Sequence, residues 1–143
     1  MEHENVPIAK REVYTKAAPH LGAHYSQAIV TGDLVYVAGQ IPIDPVTGAP
    51  VGGSVYEQSR YVLGLIRAIL EQAGCTLDDI VKMNCYLSDL HQFREMDRAF
   101  AEFFKPPYPA RATVGVQLVG CDVEMECVAR IGSSRGMTAA RGS

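Results

Sequence analysis

Apolar positions along the chain recur with a period of two in some segments and with a helical period in others. A short strand is predicted over residues 12–16, followed by a loop punctuated by Pro19 and Gly22. Residues 27–31 and Leu34–Gln40 read as strands, joined by the tight-turn pair Gly32-Asp33. The second of them, LVYVAGQ, is almost wholly apolar, which predicts a central strand covered on both sides. Residues 42–48 form a turn around Pro45 and Gly48. From Ser54 the period becomes helical. Val55, Val62, Ile66, Ile69, Leu70 and Ala73 make one stripe, Ser54 and Glu57 supply a capping box, and Gly74 ends the helix. Ile80–Leu87 then alternates as a strand, with Val81, Met83, Cys85 and Leu87 pointing inward. A second helix, capped by Asp89 with Gln92, carries Phe93, Met96, Phe100, Phe103 and Phe104. It must stop before Pro106-Pro107, and Lys105 suits its negative end.

Two further strands complete the pattern. Over residues 108–118, Arg111, Thr113, Gly115 and Gln117 share one face, and Ala112, Val114, Val116 and Leu118 the other. In the next strand Val123, Met125 and Cys127 face one way, and Glu124, Glu126 and Val128 the other. If the two strands are adjacent, a guanidinium and a carboxylate meet on a half-polar surface. Arg111 then either bridges to Glu124 or Glu126 and fixes register, or offers its fork to the carboxylate of a ligand. Glu124 and Glu126 lie about 7 Å apart along the strand, so mutual repulsion raises the pKa of one of them, which suits acid–base work. Tyr25, in a glycine-flanked loop, is either a rim aromatic or a donor to a ligand. The order of elements predicts an α+β fold, one mixed sheet with both helices packed on one face. The opposite face would more naturally meet another subunit than water.

Composition narrows the function. At 143 residues the chain makes one domain, expected over residues 1–131 with an irregular arm to about residue 10, and residues 132–143 read as a disordered tail. A net charge of −3 without a basic run argues against a nucleic-acid partner. No apolar stretch suits a membrane span or a signal peptide, so a cytoplasmic protein is expected. Cys75, Cys85, Cys121 and Cys127 form no CxxC pair, and Cys85 and Cys127 read as buried packing residues. His3, His20, His24 and His91 have no ligand spacing, so no metal site is expected. With no phosphate-binding loop, nucleophile elbow or HExxH, no cofactor is implied.

Three motifs, HYSQA from His24, VAGQIPIDPVTG from Val37, and PYPARATVGV leading to VEMECVA, together resemble the signature regions of the Rid family (reactive intermediate deaminases, also called YjgF-like or L-PSP proteins). The resemblance spans about residues 10–131. It implies a chorismate-mutase-like α+β domain, a homotrimer with a site in each cleft between subunits, and cofactor-independent hydrolysis of 2-imino acids to 2-oxo acids and ammonia. By that resemblance Arg111 grips the substrate carboxylate, Glu124 orients or activates water, and Tyr25 belongs to the site. Gly39 offers a backbone contact to the ligand, and Thr113 sits where the family presents backbone groups beside the arginine. Four departures stand out. Ala38 replaces a serine, Asp97 stands where asparagine is frequent, Ala23-His24 replaces a Gly-Pro, and the loops KPPYPA and VGCD are shorter. The alternatives are a pathway-specific aminomuconate-type deaminase, and a non-catalytic trimer that binds small carboxylates or a partner in the same clefts.

Overall fold

A computed structural model describes residues 9–140, so most of the expected N-terminal arm lies outside the described residues. Eight elements build the fold: β1 (Arg11–Val13), β2 (Ala28–Thr31), β3 (Leu34–Gln40), α1 (Val55–Gln72), β4 (Ile80–Leu87), α2 (Phe93–Phe103), β5 (Ala110–Gly115) and β6 (Val123–Arg130). They form one six-stranded mixed sheet in the order β1-β2-β3-β6-β4-β5. Only the β4–β5 pair is parallel, as the connection through α2 requires. Both helices cover the same face. Val35 and Val37 of β3, Met83, Cys85 and Leu87 of β4, and Val123, Met125, Cys127 and Ala129 of β6 meet Val62, Leu63, Ile66, Ile69 and Leu70 of α1 in one buried core. The α+β expectation therefore holds. Among the described residues no helix is long and apolar enough to cross a membrane.

Local chemistry explains the element ends. Ser54 accepts from the Glu57 amide at 3.1 Å while Glu57 accepts from the Ser54 amide at 3.1 Å, so α1 opens on the expected capping box. The second helix begins differently. Asp89 accepts from the His91 amide at 2.9 Å and caps a single 3-10 turn, Leu90–Gln92, and α2 follows with no side-chain cap at Gln92. The Asp89–Gln92 box expected from spacing does not form. A register shift between Ile80 and Lys82 turns Ile80 inward and leaves Val81 exposed, reversing its expected side. β3 is covered on one face only, for Tyr36 is 48% exposed between buried Val35 and Val37. Nor is the chain beyond residue 131 free of structure at once. Ser133–Gly136 form a 3-10 turn held by Ser133 Oγ donating to the Asp79 carbonyl at 3.0 Å and by the Ser134 amide donating to Asp79 Oδ1 at 2.8 Å.

Candidate functional site

The sheet order separates the two charges that would meet only if β5 and β6 were adjacent. β4 lies between β5 and β6, so Arg111 and Glu124 are not on adjacent strands. They also point to opposite faces. Arg111 pairs in register with buried Met83, and Thr113 with buried Cys85, which places both on the helix-bearing side of the edge strand β5. Glu124 pairs with Tyr86 and Glu126 with Asn84, on the helix-free side. The ion pair between Arg111 and either glutamate is therefore excluded within one chain.

Arg111 has other company. Its Nη1 donates to Asp97 Oδ1 at 2.8 Å, and its guanidinium lies 4.6 Å from the ring centre of Phe100 and 5.3 Å from that of Phe93. Phe93, Asp97 and Phe100 recur at helical spacing, so one face of α2 supplies all three. The arginine lines a cavity of about 380 Å³ with Asp97, Phe100, Ala101, Tyr108 and Pro109. A single nitrogen of the fork meets Asp97, and the rest of the planar group remains available to a ligand.

On the open face the two glutamates differ. Glu126 accepts from Tyr86 Oη at 2.8 Å and from Asn84 Nδ2 at 3.1 Å. That bond to Glu126 is the main reason the Tyr86 hydroxyl is held above its ordinary pKa. Glu124 accepts no hydrogen bond from the described residues; burial pushes its carboxyl above the ordinary glutamate range and the Glu126 charge adds to the shift. Repulsion was the cause expected from spacing, and desolvation proves larger. Gly39 lies directly against this carboxylate, because a Cβ placed there would run into Glu124 Oε2. The β-bulge between Val37 and Gln40 sets that close approach.

Tyr25 sits nearby on the same side. Its hydroxyl accepts from the Leu21 amide at 3.0 Å and its ring stacks on His20 at 4.9 Å, which leaves the O–H to donate. Tyr25, His24, Tyr36, Ala38, Asn84 and Glu126 line a depression of about 510 Å³. Gln27 anchors the loop: fully buried, it accepts from the Thr15 amide at 2.8 Å and donates to the carbonyls of Ala18 and Pro19 at 3.0 and 3.2 Å. The candidate residues thus fall into two groups on one chain, Arg111 and Thr113 on the helix-bearing side of β5, and Glu124, Gly39 and Tyr25 on the other side of the sheet, where Glu126 rather than Glu124 shares the depression with Tyr25. Sequence reasoning missed Asn84 and Tyr86, although Lys82, Asn84 and Tyr86 alternate with the apolar residues of β4 and could have been read from that period.

The thiols are not candidates. Burial raises Cys85 to about 12 and also pushes Cys127 up, so neither offers a thiolate at neutral pH. Among the described residues no group of three or more His, Cys, Asp or Glu could hold a metal ion.

Comparison with known proteins places these features in context. Residues 15–131 match the family described as endoribonuclease L-PSP. The chain is 46% identical to a RutC family protein of Pyrococcus abyssi, over 85% of this chain and 98% of that one. It is 34% identical to the human 2-iminobutanoate/2-iminopropanoate deaminase, over 85% and 90% respectively. The crystal structure of Escherichia coli TdcF with bound serine superposes with a TM-score of 0.78 at 32% identity, covering 84% of this chain and 98% of that one.

Proposed function

The chain belongs to the L-PSP family, that of the Rid proteins, and on that premise we propose that it is a cofactor-independent deaminase converting 2-imino acids to 2-oxo acids and ammonia. The observation that carries this reading is the Glu124 carboxylate, without a hydrogen-bonding partner among the described residues, its pKa raised by burial, held against the backbone of Gly39. A carboxylate so placed can accept a proton from water and return it. The human relative named as a deaminase and the bacterial relative holding serine support a small carboxylate as the ligand class.

The active unit is proposed to be a homotrimer. Because the two groups occupy different surfaces of one chain, a heterologous contact between copies, edge to open face, would bring them together, and such a contact can close into a ring. A two-fold dimer through the open faces alone would set the Glu124 side against its own kind. In the resulting cleft the substrate carboxylate docks on Arg111 of one protomer, and the C=N carbon faces a water held by Glu124 of the next. Glu124 takes a proton as the water oxygen bonds to carbon and passes it to the imine nitrogen, which gives the carbinolamine and restores the carboxylate. Glu124 then takes the carbinolamine's hydroxyl proton and delivers it to the nitrogen as the C–N bond breaks, and ammonia leaves with the 2-oxo acid formed. Positioning supplies much of the acceleration, since the reaction also proceeds slowly in water. Tyr25 is placed to donate to the substrate, and the backbone at Gly39 and Thr113 to border it.

The test generates 2-iminobutanoate in situ with an amino-acid oxidase and follows 2-oxobutanoate release. The reading predicts release faster than the spontaneous rate, in proportion to added protein and insensitive to chelator. Release at the spontaneous rate with an intact trimer would remove the catalytic reading.

A further inference from the structure

Asp97 plays no part in the reaction just described, yet it sits on the group that binds substrate. Its Oδ1 lies 2.8 Å from Arg111 Nη1, and both side chains line the same cavity beside Phe100 and Tyr108. The Asp97 side chain is 53% exposed and that of Arg111 22%, so the acid stands at the mouth and the guanidinium deeper. The rings of Phe100 and Phe93 also hold the guanidinium from the side. What Asp97 adds is a negative charge where an incoming carboxylate must arrive.

We infer that Asp97 is a specificity-determining residue that makes the Arg111 pocket discriminate by the charge beside the ligand's carboxylate, an inference resting on the proposed role of Arg111 as carboxylate anchor. A 2-oxo acid brings only negative charge and meets repulsion from Asp97 as it approaches the fork. An α-amino acid, or the protonated form of a 2-imino acid, carries a cationic nitrogen one carbon from its carboxylate. With the carboxylate on the free nitrogens of Arg111, that N–H group can turn towards the unengaged oxygen of Asp97. Attraction replaces repulsion. In the proposed reaction the ligand loses its nitrogen during turnover, so the substrate is held by both residues and the product is disfavoured by one of them.

Calorimetric titration with a matched pair, 2-aminobutanoate and 2-oxobutanoate, reads this directly, because the two differ only in the group at the second carbon. The parent protein should bind the amino acid more tightly than the oxo acid. Asp97→Asn keeps the size and an oxygen for Arg111 but removes the charge. It should tighten oxo-acid binding by about tenfold and weaken amino-acid binding, the fold-change being set by a partly screened charge at short range. Glu95→Gln is the control: it removes a charge from the same helix, where Glu95 pairs with Arg98, and should move neither affinity. Equal changes for both ligands in Asp97→Asn, no change for either, or no binding of either acid by the parent would overturn the inference. Turnover is not needed for the measurement, so a failure of the deaminase reading shows in oxo-acid release and a failure of this inference in the ratio of the two affinities.

Discussion

Glu124 and Glu126 are two residues apart on one strand and face the same way, yet their surroundings assign them different work. Glu126 is satisfied by Tyr86 and Asn84, whereas Glu124 has a buried side, no hydrogen-bonding partner among the described residues and a carboxyl held above its ordinary value of 4.5. A raised folded pKa means that the native state prefers the protonated form. The associated stability is present below pH 4.5 and is lost as pH rises through the raised value, so at neutral pH the charged group weakens the fold. Glu124→Gln should therefore leave Tm at pH 7 unchanged or higher while lowering kcat on the order of a hundredfold. The acid limb of the parent's rate profile should lie above pH 4.5, because the base must be ionised, and should vanish in this variant. Glu126→Gln, which keeps an oxygen for the Tyr86 hydroxyl, should retain most of the turnover; equal losses in the two variants would contradict the assignment. Both glutamates were legible from alternation and from the resemblance. Which one was free was not, because the partners of Glu126 come from a strand some forty residues earlier in the chain.

At the scale of elements, the cap of α1 read true from local residues, while the start of α2 and the strand pairing did not. The capping box of α1 depends on Ser54 and Glu57 alone and formed as expected, and Ser54→Ala should lower stability by about 1 kcal/mol, measurable by denaturant titration. No change would mean that the cap is replaced by water without cost. The start of α2 misled because Asp89 found a nearer amide, at His91, before the helix proper. Val81 misled because alternation assumes an unbroken ladder, and a one-residue register shift reverses every side chain beyond it. The conditional adjacency of β5 and β6 does not occur. Their sequence proximity favours a hairpin, but the ladder places β4 between them, parallel to β5 and antiparallel to β6. Alternation gives the face of each residue within a strand, and only pairing tells which faces coincide. Hence Arg111 and Glu124 were each readable while their separation was not.

For the whole molecule, that separation is the main consequence of the fold. The helix-free face carries Tyr36, Tyr86, Val128 and the two glutamates, and the outer edge of the sheet carries Arg111 against α2. Neither surface holds all the candidate residues. The helix-free face was expected to meet another subunit with apolar residues, Arg111 and Glu124 on it, and the ladder moves Arg111 to the other side. The proposed assembly rests on this separation, since a second chain would place the Arg111 group beside the Glu124 group. Subunit complementation tests this most directly. Arg111→Lys and Glu124→Gln each remove one half of the cleft and should be nearly inactive alone. Co-expressed in equal amounts and assembled at random, they leave about one cleft in four with an intact arginine from one protomer and an intact glutamate from the next, so activity should recover to about a quarter of the parent's. Recovery at that level is the predicted result; a mixture as inactive as its components, with mixed trimers demonstrated by mass spectrometry, would show that the two residues do not act across an interface.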